Sequence, residues 1–293
     1  MKPASFEYHA PQTVTEAVAT LAQHGYDAKA LAGGQSLIPM MNFRLAQPSV
    51  LVDLNGVSEL FYVRPARDGS VHIGAMTRQR EVEHDPLVGQ VAPLVQAALP
   101  KVAYPQIRTR GTFGGSLAHA DPSAELPAVA VALDARLRLQ SRRGDRWVAA
   151  RDFFQGFFTT LLEPDELLVE IALPPLPPRS GWSFMEVARR HHDFALAGVA
   201  ARVRLSGNGE CEDARLVYFS VGDGPTVAEQ AAALLRGQVP TDEAIQEAAR
   251  TAGQADVDPS SDINATAEYR RHLVEVLGRR ALAEAFGRAR GEG

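Results

Sequence analysis

The chain has 293 residues, 45% hydrophobic and 22% charged, enough apolar material for about two domains at ~100–200 residues each, and far more than a small stapled scaffold. Thirty basic residues against 35 acidic ones leave a net charge of -5, without the cationic excess that a phosphate backbone demands, which argues against nucleic acid as a partner. No run approaches the ~20 consecutive apolar residues needed to cross a bilayer.

Taken in chain order, Met1 to Tyr8 carries charge and proline where a signal peptide would place an apolar core, so a cytoplasmic protein is expected. Thr13-Val14-Thr15-Glu16 has the spacing of a capping box, and Val14, Val18 and Leu21 follow at helical spacing as far as Gly25. The run Lys29 to Ala32 meets Gly33-Gly34 and continues from Gln35 to Met41, which reads as strand, turn and helix start. Val50 to Leu54 and Val71 to Ala75 predict further strands, making this half mixed α/β. One apolar helix is predicted over Val91 to Ala103, ahead of a second double glycine, Gly114-Gly115. Asp121 as cap with Pro122 in the first position predicts a helix to about Leu133. Ala135 to Leu139 alternates with period two and can pair across Gly144-Asp145 with Arg146 to Ala149, and Glu166 to Ile171 adds one more strand.

Four prolines between Pro174 and Pro178 remove donors and break regular pairing, and the domain boundary is placed there. Beyond it, three strands (Phe184 to Ala188, Ala195 to Leu205, Ala214 to Val221) and three helices (near Val227 to Leu235, Asp242 to Ala252, Ala267 to Arg288) predict a smaller α+β domain. The only cysteine, Cys211, can neither close an internal disulfide nor supply the four thiolates that usually hold an iron–sulfur cluster, so any such cluster belongs to another chain.

The chemistry sits in the glycine turns. A diphosphate carries a negative charge of about two, and amides pointing out of a tight turn or helix start meet it best. Ala32-Gly33-Gly34-Gln35-Ser36 and Thr112-Phe113-Gly114-Gly115-Ser116 both free the backbone with paired glycines and follow with small polar side chains. Either turn alone reads as well as a tight connection, but two in one half can grip one dinucleotide. Neither fits G-x-G-x-x-G and no P-loop occurs, so a Rossmann site is disfavoured. Gly222-Asp223-Gly224-Pro225-Thr226 lacks a third glycine, and Pro225 deletes an amide, which makes it a plain turn.

The segments Ala32 to Met41, Pro105 to Ala118 and Asp121 to Ala128 resemble the FAD-binding medium subunit of the molybdenum hydroxylases, the family of carbon monoxide dehydrogenase and the bacterial relatives of xanthine dehydrogenase. Val187 to Arg190, Asp193, Ala195 and Ala267 to Leu273 extend the resemblance over essentially the whole chain. It implies an α+β fold: a two-lobed FAD-binding domain of the PCMH (vanillyl-alcohol-oxidase-like) type at 1–175, with lobes at approximately 1–57 and 58–175. A domain of the carbon monoxide dehydrogenase flavoprotein type, with a three-stranded antiparallel sheet and helices, would fill 176–293. Carried over by position, Leu31, Ala32, Gly33, Gly34, Gln35 and Ser36 form the first FAD loop and Thr112, Gly114, Gly115 and Ser116 the second, both around the diphosphate and ribityl chain. Glu125 stands where a carboxylate, aspartate in many relatives, steadies the polyol, and Leu168 where an aliphatic residue packs on the flavin. Met185 aligns with a cationic residue of some xanthine dehydrogenases, and that role is not transferred to it.

By the same resemblance the chain is a flavoprotein oxidoreductase subunit. Electrons from two [2Fe-2S] clusters on a small partner chain pass through its FAD to an external acceptor, while a large partner chain with a molybdenum cofactor hydroxylates the substrate. A dimer of such heterotrimers is implied. No catalytic side chain and no metal ligand is nominated in this chain. A self-sufficient FAD oxidase or dehydrogenase and a flavin-free scaffold are the other readings. The groupings His119-Ala120-Asp121 and His191-His192-Asp193 read as surface or loop histidines, because a metal site needs three or four converging ligands. Phe153 to Phe158 reads as buried core, and Arg108 and Arg110 as solvated.

Overall fold

The computed structural model describes residues 2–292. A first lobe is made by β1 (Glu7–His9), α1 (Val14–His24), β2 (Ala28–Leu31), α2 (Leu37–Asn42) and β3 (Val50–Asp53). Thr13 Oγ1 accepts the Glu16 amide at 3.2 Å, and the Glu16 carboxylate turns back to the Gln12 amide at 2.8 Å, one residue short of a strict capping box. The three strands are parallel in the order β1-β3-β2. Onto them α1 buries Val14, Ala17, Val18 and Leu21.

The second lobe runs through β4 (Val63–Pro65), β5 (Val71–Gly74), α3 (Gln79–His84), α4 (Pro86–Val91), α5 (Pro93–Ala98), α6 (Pro105–Arg108), α7 (Phe113–His119), α8 (Glu125–Ala132), β6 (Arg136–Ser141), β7 (Gly144–Ala149), α9 (Ala150–Phe153), β8 (Phe154–Gly156), β9 (Thr159–Thr160) and β10 (Leu167–Leu173). Its main sheet is antiparallel, ordered β4-β5-β10-β6-β7. The single helix expected over Val91 to Ala103 is broken. Pro93 has no amide to continue α4 and opens α5 instead, and Leu99–Lys101 tightens to 3-10 geometry. Asp121 does not cap α8 either. Its carboxylate takes the Ser123 amide at 2.8 Å in a local turn, and the helix opens at Glu125 rather than Pro122.

Two elements join the units. All seven residues of β10 are buried: Leu167 and Val169 enter the core of the first lobe, while Leu168, Ile171 and Leu173 enter that of the second. A strand covered on both faces has no polar alternation to reveal it. Helix α8 is buried along its whole length, because it lies between the second lobe and the C-terminal sheet.

On the strand Glu170 is 3% exposed, accepting from Tyr62 Oη at 2.7 Å and Arg64 Nη2 at 2.9 Å, with His72 Nδ1 as a third partner. Burial pushes its pKa up, but these hydrogen bonds outweigh burial and hold the carboxyl below the usual glutamate range. Glu170→Gln replaces charge-assisted hydrogen bonds with neutral ones and is expected to cost about 2 kcal/mol. A thermal melt at pH 7 checks this, and an unchanged Tm contradicts it.

The prolines leave residues 174–179 without strand or helix. Then β11 (Ser180–Ala188), β12 (Ala195–Leu205), β13 (Cys211–Phe219) and β14 (Thr226–Val227) form an antiparallel sheet in that order, followed by α10 (Glu229–Leu235), α11 (Asp242–Thr251) and α12 (Ala267–Arg290). The expected three strands gain a two-residue fourth, since the Gly222 to Pro225 bend returns Thr226 and Val227 to Tyr218 and Val217. One face of the sheet carries α12, which buries Leu273, Val274, Leu277, Ala281, Leu282 and Phe286. The other supplies Ala200, Val217 and Phe219 to the core of the second lobe. Cys211 is buried, and burial pushes its thiol up to about 11. Among the described residues no helix is long and apolar enough to cross a membrane.

Candidate functional site

The lobes meet where the two glycine turns pack on each other. A Cβ on Gly33 would lie 2.7 Å from Gly111 Cα and closer still to the Arg110 carbonyl oxygen, and one on Gly115 would sit 3.2 Å from Ala32 Cβ. Only glycine lets the backbones approach so nearly. Gly34 takes φ +74°, which tips the chain out of β2 toward α2. The cleft so formed, about 230 Å³, is lined by Leu31, Ala32, Gly33, Gly34, Gln35, Ile38, Asp53, Asn55 and Arg110.

Its hydrogen-bond donors are unequally divided. Among the described residues, the amides of Gly33, Gly34, Gln35, Ser36 and Leu37 have no protein acceptor. In the second turn the four amides after Thr112 are already engaged: Phe113 to Thr77 O and Gly114 to Ala75 O, both 2.9 Å, Gly115 to Thr112 Oγ1 at 3.0 Å, and Ser116 to Thr112 O at 3.3 Å. Amides without a protein acceptor are therefore concentrated in the first turn rather than shared by both. The second turn packs against the first without lining the cleft, and Thr112 caps α7.

Charge at the cleft is mixed. Asp53 accepts from the Tyr8 hydroxyl and from the Asn55 amide, and these bonds, opposing the upward push of burial, hold its carboxyl below the usual aspartate range. Arg78 beside it is held below the usual arginine range by burial first and by the Arg110 charge second. Arg108, two residues from Arg110, is neither solvated nor at the cleft. It is buried on Glu83, with Nε to Oε2 at 2.9 Å, and donates to Val102 O and Ala103 O, each at 2.8 Å.

The pattern of the family described as the FAD binding domain in molybdopterin dehydrogenase matches residues 4–176, and that of the CO dehydrogenase flavoprotein C-terminal domain matches residues 182–285. The chain belongs to the FAD-binding medium subunits of the molybdenum hydroxylases. It is 40% identical to the 6-hydroxypseudooxynicotine dehydrogenase complex subunit alpha of Paenarthrobacter nicotinovorans, covering 99% of this chain and 97% of that one. The structure of carbon monoxide dehydrogenase from Hydrogenophaga pseudoflava which lacks the Mo-pyranopterin moiety superposes with a TM-score of 0.95 at 41% identity, over 98% of this chain and 99% of its counterpart. That of quinoline 2-oxidoreductase from Pseudomonas putida 86 superposes at 0.92 with 38% identity, over 100% and 99%. The protein is thus an FAD-binding oxidoreductase subunit, the electron-transfer component between iron–sulfur clusters on a partner chain and an external acceptor.

Four cleft residues of this medium subunit, Asp53, Asn55, Arg110 and Ile38, are absent from the site residues expected from the sequence. A signal for the first was present: Asp53 ends a parallel strand opposite Leu31, and ligands settle at the carboxyl ends of parallel strands. Of the expected site residues, Leu31 to Gln35 line the cleft, while Ser36, Thr112, Gly114, Gly115, Ser116, Glu125 and Leu168 do not. Leu168 is 3% exposed in the core of the second lobe. Glu125 opens α8 at 7% exposure, and burial, with Glu186 and Asp121 adding to it, pushes its carboxyl up to about 8. Met185 packs against the C-terminal core. The aromatic run divides, with Phe153 buried but Phe157 65% and Phe158 41% exposed, because the β8–β9 hairpin carries its tip outward. Phe158 meets the ring of half-buried His119 at 5.0 Å, and His191 is exposed.

Proposed function

We propose that the diphosphate and ribityl chain of FAD lie in the cleft along the first turn, Leu31, Ala32, Gly33, Gly34, Gln35 and Ser36, and reach the second turn packed beside it, Thr112, Gly114, Gly115 and Ser116. The run of amides from Gly33 to Leu37 without protein acceptors carries this reading, since such a donor set beside a glycine opening suits a dianion. Arg110 adds a cation to the same cleft. Glu125, outside the lining of this cleft, is the carboxyl proposed to steady the polyol beyond it. Burial keeps its carboxyl protonated at neutral pH, so it can donate as well as accept. Leu168 packs toward the flavin from the core. When bound, FAD supplies the redox centre, and the chain's own residues bind, orient and screen it.

The assembly proposed is a dimer of heterotrimers in the cytoplasm, with two [2Fe-2S] clusters on a small chain and a molybdenum cofactor on a large one. Within this subunit the FAD domain spans 1–175, with lobes at approximately 1–57 and 58–175, and the second domain spans 176–293. Relatives named for carbon monoxide, quinoline and a nicotine derivative are 41%, 38% and 40% identical to it. So even a spread supports the view that the substrate is chosen on the large chain. Purified from its native host, the complex is expected to show a flavin spectrum with iron and molybdenum in co-purifying chains. Flavin without metals in any partner favours a self-sufficient oxidase, and no flavin at all overturns the proposal.

A further inference from the structure

We propose that Asn55 and Arg78 are a positioning clip that sets the gap between the two glycine turns, and with it how closely the cleft grips the FAD diphosphate; this rests on the cofactor reading above. Asn55 follows β3 in the first lobe, and its Nδ2 donates to Ala32 O, on the first turn, at 3.0 Å. Its Oδ1 accepts from Arg78 Nη2 at 2.6 Å. Arg78 belongs to the second lobe, and its Nη1 donates to Arg110 O at 2.5 Å. That carbonyl is the one against which Gly33 is pressed. Three hydrogen bonds therefore run in series from one turn to the other.

The chemistry admits only one orientation of the linking amide. Ala32 O can only accept and the Arg78 guanidinium can only donate, so Asn55 satisfies both with its nitrogen toward the first turn and its oxygen toward the second lobe. Each member is also held from behind. Asp53 Oδ1 accepts the Asn55 amide at 2.9 Å as well as its Nδ2, and Asp53 is itself tied to Tyr8. The backbone of Arg78 bridges to Thr112 at the second turn, its amide meets Glu81 Oε2 at 3.3 Å, and its guanidinium lies 5.4 Å from the Phe61 ring centroid. Arg78 is thus anchored to the second turn through its backbone and to the first through its side chain. Ala32, Asn55 and Arg78 are partly buried and Arg110 is exposed, so breaking the series leaves the cores intact.

A planar fork serves two acceptors at once, which a point charge does not. The test titrates FAD into the apo full-length chain by flavin fluorescence, with dissociation rates and apo melting temperatures, for Asn55→Ala, Arg78→Met, Arg78→Lys and the Asn55→Ala/Arg78→Met double variant. Each single variant is expected to bind about tenfold more weakly through faster release, with apo melting unchanged. The double variant is expected to be no weaker than either single, because one broken link opens the whole series. Arg78→Lys is expected to stay as weak as Arg78→Met. Restoration by Arg78→Lys, additive losses, wild-type affinity throughout, or a fall in apo melting that accounts for the weaker binding each overturns the clip. Gly33→Ala separates the two levels. If it loses FAD while the clip variants keep it, the clip alone fails, and if it too binds normally, the cofactor reading fails.

Discussion

Gly33→Ala is expected to yield a folded chain that holds FAD about 100-fold more weakly than wild type. The added Cβ meets Gly111 Cα at 2.7 Å and, nearer, the Arg110 carbonyl oxygen; these are backbone atoms that cannot rotate aside. The turns must part. Forcing a methyl group into packed surroundings costs ~1–3 kcal/mol, and the upper end corresponds to roughly two decades of affinity when it falls on the bound geometry. The other glycines grade below it. At Gly115 the new Cβ meets the Thr112 hydroxyl at 2.5 Å and so disturbs the cap of α7. At Gly34 it meets only the Ile38 and Leu31 side chains, at 3.1 and 3.3 Å, and the cost is the left-handed backbone, ~1–2 kcal/mol. Flavin fluorescence titration with circular dichroism melts ranks the three. Equal, tight binding by all of them contradicts the cradle.

The second large effect is on stability as a function of pH. Glu125 is expected to make the chain less stable as pH rises from 5 to 8. Burial raises its folded pKa to about 8 from the ordinary 4.5, so across this window the folded chain keeps a proton that the unfolded chain has released. Fewer protons bound in the unfolded state give a negative slope of unfolding free energy against pH. The stabilisation is complete below pH 4.5 and is lost as pH climbs through 8, by up to about 5 kcal/mol at ~1.4 kcal/mol per pH unit. Glu186, raised to about 7 by burial, pulls in the same direction. Glu83, Asp134, Glu166 and Glu170 are shifted downward, so their contributions change only in acid, outside the window. Urea denaturation at pH 5.5, 6.5 and 8 reads the slope. Glu125→Gln removes its largest part and stands more stable than wild type at pH 8, and a slope identical in the variant rules the assignment out.

Local pattern carried much of this molecule into view. Thr13 caps a helix by a rule that spans four residues, Gly34 supplies the left-handed φ that its turn needs, and the prolines at 174–178 interrupt the sheets by lacking donors. Where reading went astray, two local rules competed. Pro93 broke a run that its apolar periodicity joined, and Asp121 took a turn amide instead of a helical one.

Chain chemistry by itself determined the kind of site: paired glycines with polar followers, twice, and too few thiols for a cluster of its own. Tertiary structure alone decided which groups those turns meet. It brought the Thr77 and Ala75 carbonyls onto the amides of Phe113 and Gly114 in the second turn, and left those of Gly33 to Leu37 in the first without a protein acceptor. It also sent Arg108 into a buried pair with Glu83 and left Arg110, two residues on, at the cleft. The physical reason is range. Torsions and caps are settled within a few neighbouring residues, whereas burial, pairing and the partner of a given N–H depend on segments brought together only when the lobes close.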